Sequence, residues 1–373
     1  MIDRLLAALY WRGPDAAKLQ GYDAYHDLNV RTGFGDRLVE AWAALTVLEL
    51  ARPDARVAMH WDRLPSRTAD RLYDPALFSI DGCDFVEAWP RLRARKRFNR
   101  AHLVERCFTP LPPRLERLRL RTEGHWGGSR PDRIHADLQH YGVPTSVSAA
   151  AVADVYRRVA RGTQPSAAIS SVLPADLGER VGLHIRRTDK LMAVERDIGM
   201  DPDSWRRIEA RGLAHIDACV ADGVRMFICS DDPAYRSELL AQIRRRGGDA
   251  IALDVAPDSR PDGFDALADF FALSRCREVV MMTKYSTFAV AAALIGATTL
   301  VHLLSEDDPV PSRLWAWRGT VPLRASPAVE AADAESPESA PTTKIDSSPN
   351  LRHTADRTSR QTAPERAPRE TVK

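Results

Sequence analysis

The sequence predicts an α/β protein made of two parallel-sheet units, and three observations carry that expectation. Between residues 181 and 304, short aliphatic runs at 181–185, 226–229, 251–255, 279–282 and 299–303 alternate with amphipathic stretches at 203–221, 233–246, 264–276 and 287–294. Short buried strands separated by helices of this length form successive strand–helix–strand units, the connection that parallel strands require. A weaker copy of the pattern precedes it, with a strand over 28–30, a glycine turn at Gly33 and Gly35, and a helix over 36–51. A second strand is expected over 57–61 and a third near Val86. From Ser326 onward, finally, the composition turns to Ala, Pro, Ser, Thr, Glu and Arg, with too little apolar surface to offset the entropy of ordering. The expected organisation is an N-terminal Rossmann-like domain over 1–165, a C-terminal nucleotide-sugar-binding one over 166–325 and a disordered tail over 326–373.

Composition narrows the function classes. A chain of 373 residues, 44% hydrophobic, can build two cores of ordinary size, which excludes a peptide-like or wholly disordered protein. Lys plus Arg is 53 against 51 for Asp plus Glu, a net charge of +2. No global field draws in nucleic acid or an anionic membrane, so any anion site must be local. Five cysteines without a C-x-x-C pair point to reduced thiols. The short apolar run at 5–11 lacks a small-residue cleavage region, and the longest one, 288–304, is broken by Gly296, Thr298, Thr299 and His302. Neither a signal peptide nor a transmembrane segment is expected, and the chain reads as cytoplasmic. The Arg-rich stretch over 90–133 reads as a solvated face, or else as a surface for the acceptor or another anionic partner.

The sharpest chemistry lies in Gly182-Leu183-His184-Ile185-Arg186-Arg187-Thr188-Asp189-Lys190. A buried strand delivers His184, Arg186, Arg187, Asp189 and Lys190 to its carboxyl end, where a doubly wound sheet opens its ligand crevice. A guanidinium fork suits a pyrophosphate, and an ammonium beside it can neutralise charge on a departing phosphate. Ser230-Asp231-Asp232-Pro233 follows the next strand as a helix N-cap, with the alternative that one carboxylate faces the crevice. Asp269 sits in the middle of an amphipathic helix, an ordinary place for a solvated carboxylate. Ser286 and Thr287 open a further helix, either capping it or holding a phosphate on its free N–H groups. Gly33-Phe34-Gly35 permits close backbone approach but lacks the third glycine of a dinucleotide fingerprint. Neither the paired aspartates nor the ten histidines have metal-ligand spacing, so no metal is expected.

Taken together, these segments resemble the α-1,6-fucosyltransferases of glycosyltransferase family 23, whose relatives include α-1,2- and protein O-fucosyltransferases. Arg31 to Leu38 with its helix looks like the rhizobial nodulation members, and His184 to Lys190 looks like the animal core fucosyltransferases. Asp231-Asp232-Pro233, and Asp269 with its Leu-Ser continuation, match later motifs of both. The resemblance implies a GT-B arrangement, two facing Rossmann-like domains with parallel sheets, and GDP-fucose held mainly by the C-terminal one without metal or cofactor. Under it Arg186 binds the pyrophosphate with Arg187 in support, and His184 and Asp269 recognise guanosine. Ser286 or Thr287 holds the β-phosphate, Asp231 and Asp232 belong to the donor side, and Gly33, Phe34 and Gly35 line the opposite wall. Lys190 would stabilise the leaving diphosphate, and the base would be Asp189 or Glu195, the latter one residue away from the family position.

The expectation is an inverting, metal-independent glycosyltransferase that moves fucose from GDP-fucose to an oligosaccharide or glycolipid acceptor. The alternatives are a transferase of the same arrangement using another nucleotide sugar, and a catalytically silent nucleotide-sugar-binding protein, which the displaced Glu195 suggests.

Overall fold

The computed structural model describes residues 18–28, 33–61, 73–86, 146–187, 202–254, 263–305 and 312–327, with positions 116, 117, 134, 138, 308 and 329. The chain divides into two compact units, Met1–Glu335 and Ser336–Lys373. The second unit, and with it most of the expected tail, lies outside the described residues.

In the first unit the chain begins with β1 (Ala24–Asp27), α1 (Phe34–Ala51), β2 (Val57–His60), β3 (Phe78–Ile80), β4 (Cys83–Phe85) and β5 (Glu116–Arg117). Four of these strands form an all-parallel sheet in the order β4-β2-β1-β5. The first strand lies at 24–27, ahead of the expected 28–30. Its Tyr25 and His26 are fully buried because β1 is flanked by β2 and β5, so a polar-looking sequence occupies the sheet centre. Helix α1 is buried along almost its whole length to Leu48.

Next come α2 (Ala149–Arg161) and β6 (Thr163–Pro165), which pairs antiparallel with β3. Ser148 caps α2 by accepting from the Ala151 amide at 3.1 Å, and arginines in its last turn complement the helix dipole. This helix packs on α1 through Trp42 and Tyr156, whose rings meet edge to face at 6.1 Å. The Tyr156 hydroxyl donates to the Val39 carbonyl at 3.2 Å.

The second sheet is built from β7 (Val181–Ile185), α3 (Pro202–Ala221), β8 (Met226–Ser230), α4 (Pro233–Arg245), β9 (Ala250–Ile251), α5 (Phe264–Arg275), β10 (Glu278–Met282), α6 (Thr287–Gly296), β11 (Thr299–His302) and β12 (Leu323–Ala325). Its order is β12-β11-β10-β7-β8-β9 with every pairing parallel. Residues of β7 and β8 are buried throughout, as strands covered on both faces must be. A Cβ on Gly182 of β7 would stand 2.9 Å from the end of the Leu273 side chain of α5 and 3.0 Å from the Cys276 sulfur, so this helix packs closely on the strand. The strand expected over 251–255 pairs only at Ala250–Ile251, on the sheet edge. Ser326 and Val329, expected in the tail, are buried, and the Ser326 hydroxyl bonds His215 at 2.8 Å.

The α/β class and the two parallel sheets thus match the expectation. Among the described residues no helix is long and apolar enough to cross a membrane.

Candidate functional site

Strand order fixes where a ligand can enter. The second sheet starts at β7, runs outward through β8 and β9, returns to β10 on the other side of β7, and continues to β11 and β12. The direction of winding reverses between β7 and β10, and the loops that leave their carboxyl ends therefore part to form a crevice.

His184, Ser286 and Thr287 meet there. His184 is 5% exposed; its Nε2 is hydrogen-bonded to the Ser286 hydroxyl at 2.9 Å and its Nδ1 lies 3.9 Å from the Cys229 sulfur. Burial pushes that thiol well above its usual range, so it is a neutral neighbour. The imidazole stacks on Phe288, centroids 5.2 Å apart. Ser286 occupies the N-cap of α6, yet its side chain makes no capping bond. The first-turn amides of α6 therefore keep their capacity to donate, at the positive end of a helix. Beside them Thr283 is fully buried with no partner for its hydroxyl oxygen among the described residues, and Lys284 is 3% exposed.

The glycine turn after β1 forms the opposite wall. A Cβ on Gly35 would stand 2.7 Å from the Phe288 nitrogen and the Thr287 carbonyl carbon, both backbone atoms, so only glycine allows this approach. The amino ends of α1 and α6 thereby face each other, one from each sheet. Phe34 is 1% exposed and joins the layers, with its ring 4.9 Å from Phe270 and 5.7 Å from Trp61. A ring so enclosed offers a ligand no open face. Asp36 stands half-buried in the first turn of α1, and Arg37, 1% exposed, lies 5.5 Å from the Trp61 ring. Burial lowers the Arg37 guanidinium to about 10 against the pull of Tyr73, Glu40 and Asp36, and it stays charged at neutral pH.

The other predicted residues divide by role. Arg186 follows β7 at the crevice and is half-buried. Arg187 turns away, pairing with Glu209 and lying 4.0 Å over the Tyr235 ring. Asp231 accepts from the Arg187 amide at 2.7 Å, and Asp232 caps α4 through the Tyr235 amide at 3.1 Å. Both aspartates thus brace the β7 and β8 loops, the structural half of the expectation. Asp269 is 8% exposed rather than solvated and faces Arg236 at 3.4 Å. Asp189, Lys190 and Glu195 lie outside the described residues. Among those described, no cluster of three His, Cys, Asp or Glu side chains could hold a metal.

Sequence reasoning missed Arg37, Lys284 and Arg236 as members of the neighbourhood. The Gly35-Asp36-Arg37 adjacency could have drawn attention to Arg37, but a charged residue in a first helical turn ordinarily reads as solvent-facing. The burial of Lys284 and the reach of Arg236 across from α4 depend on packing between elements and leave no local signal.

No family model matches this chain, and no curated protein matches it. Among solved structures it is similar to the fucosyltransferase NodZ from Bradyrhizobium, at 17% identity and TM-score 0.40, over 73% of this chain and 93% of that one. It is also similar to E. coli heptosyltransferase WaaC with ADP, at 13% identity and TM-score 0.44, over 83% and 98% of the two chains. A third likeness is to POFUT1 in complex with GDP-fucose, at 12% identity and TM-score 0.43, over 83% and 99%.

Proposed function

We propose that the protein is a glycosyltransferase that takes its sugar from a nucleoside diphosphate sugar, GDP-fucose by the motif resemblance, and delivers it to an oligosaccharide or glycolipid acceptor. The observation that carries this reading is the convergence at the β7–β10 crevice. There Arg186 follows the carboxyl end of β7, and beyond the adjacent end of β10 the amino end of α6, uncapped by Ser286, packs against the amino end of α1. Two helix amino ends and a guanidinium form a local anion site on a chain with little net charge, and its chemistry suits a diphosphate.

His184, held by Ser286, stands ready on the donor side, with Asp269 on the neighbouring helix. The reaction is a displacement at the anomeric carbon: the acceptor oxygen bonds to that carbon as its bond to the diphosphate oxygen breaks. The acceptor proton passes to a carboxylate and the leaving charge stays on the diphosphate, where cations offset it. Asp189 and Glu195 are the carboxylates the motif offers, and Asp36 is a third, standing beside the turn that faces α6.

Calorimetric titration of the full chain in EDTA with GDP, GDP-fucose, UDP-glucose and NAD tests the reading. Selective binding of GDP and GDP-fucose is expected. Binding of UDP-glucose alone would move the assignment to another nucleotide sugar, and absence of any nucleotide binding would overturn it.

A further inference from the structure

A second concavity, of about 1300 Å³, opens along the β11–β12 edge of the second sheet, and none of His184, Arg186, Ser286 and Thr287 lines it. Its wall is formed by the last turns of α2 and α6, the carboxyl ends of β11 and β12 and the connection over 315–322. The volume exceeds the roughly 300–1,000 Å³ of ordinary small-molecule pockets, so the cleft can hold more than a single polar group.

Its chemistry is lopsided. Arg157, Arg161 and Arg318 line it, together with His302, and no Asp or Glu is among its described lining residues. The arginines are not equivalent. Arg157 is committed to the fold, donating to the Gly319 carbonyl at 2.5 Å and pairing with Asp154. Arg318 is exposed and its guanidinium carbon lies over Trp315, 3.7 Å from the ring centroid, a cation–π contact that does not use up the N–H groups of the fork. Arg161 is exposed in the last turn of α2, and among the described residues its guanidinium has no ion pair or hydrogen bond. His302 supplies a donor rather than a charge. Burial lowers its pKa, and its Nδ1 accepts from the Leu304 amide at 3.4 Å, so the proton sits on Nε2. Between these groups the floor is aliphatic, with Leu294, Leu304, Val321 and Val329.

We propose that this cleft is a separate binding site for a single-chain amphiphilic anion, its phosphate or carboxylate head on Arg161 and Arg318 and its alkyl chain on the aliphatic floor. A rim whose described lining is cationic and carries no carboxylate selects the head, and an apolar floor in a cleft of this size selects the chain. The site does not depend on the nucleotide-sugar reading. It shares one element with the crevice: α6 presents Thr287 there and Leu294 here, along a helix of ten residues, about 15 Å.

The test titrates the full chain with octyl phosphate below its micelle concentration, with octyl glucoside and inorganic phosphate as controls. Octyl phosphate is expected to bind measurably, and octyl glucoside and phosphate at least about tenfold more weakly, since each supplies half of the recognition. Arg161→Gln, an exposed position, should weaken octyl phosphate about tenfold and leave GDP binding unchanged. Val329→Asp, which sets a carboxylate among the aliphatics, should weaken it as much. Equal affinity for octyl glucoside, octyl phosphate binding untouched by Arg161→Gln, or no binding of octyl phosphate by the folded protein would each overturn the proposal.

Discussion

The imidazole of His184 and the hydroxyl of Ser286, 102 residues apart in sequence, are hydrogen-bonded at 2.9 Å across the seam between β7 and the turn after β10. The bond takes the hydroxyl that would otherwise cap α6 and gives it to the histidine. One contact therefore fixes the imidazole and keeps the Ser286 side chain from capping α6.

Ser286→Ala separates these two consequences. The buried imidazole loses a partner, which costs about 1–3 kcal/mol of stability, readable as a lower urea midpoint at unchanged slope. If His184 positions the donor base, GDP affinity falls as well, by about tenfold. Thr287→Ala, at a half-buried position outside that bond, should leave the midpoint within about 0.5 kcal/mol of wild type while still weakening GDP. Equal GDP affinity in both variants and the wild type would remove these hydroxyls from the site.

Arg186 and Arg187 are adjacent and chemically identical, yet the structure gives them different tasks. Arg187→Ala should destabilise the protein by about 1–3 kcal/mol, because it strands Glu209 and uncovers Tyr235. Arg186→Ala should cut GDP affinity about tenfold to a hundredfold, the worth of a charge-assisted pair. A reversed pattern would exchange the two roles.

Gly35→Ala tests the meeting of the two sheets. The added methyl would lie 2.7 Å from backbone atoms of α6, which have no rotamer by which to retreat. A loss of about 1–3 kcal/mol is expected, the usual cost of overpacking, together with weaker GDP binding as the α1 and α6 amino ends are pushed apart. Wild-type stability and binding would mean that the turn yields freely.

The central strands of the second sheet, β7, β8, β10 and β11, were legible because they are buried almost throughout, and such a strand is written as an apolar run. β1 was misplaced for the opposite reason: Tyr25, His26 and Asp27 read as polar, and only the flanking strands bury the first two of them. Helix α2 and strand β12 went unread. α2 does carry local signals, Ser148 at its start and Val152, Val155, Tyr156 and Val159 at helical spacing, whereas β12 is three residues long on an edge. Within the site, the strand-end location of His184 and Arg186 and the helix-start location of Ser286 followed from periodicity alone. That Phe34 is sealed in an aromatic cluster, or that Asp269 faces Arg236, depends on which helices pack together, and residue spacing does not encode that.

Acid stability offers a last check, on the loop that forms part of the second cleft. Asp308 is 5% exposed and accepts from Arg207, from Arg211 and from the Ser305 amide at 3.0 Å. Burial alone would raise its carboxyl, but the Arg211 and Ser305 hydrogen bonds with the Arg211 charge outweigh it and hold the group below the ordinary range. A carboxylate lowered on folding contributes stability that is complete above its unfolded value, about 3.9, and is lost as pH falls through the folded one. Asp308→Asn should therefore be less stable than wild type at pH 7, with the gap closing as pH falls from about 5 toward 3. Urea midpoints at four or five pH values measure it. A gap of constant size across that range would show that Asp308 is not held as a carboxylate by these donors, and the fixed position of Leu303 to Ser305 would need another cause.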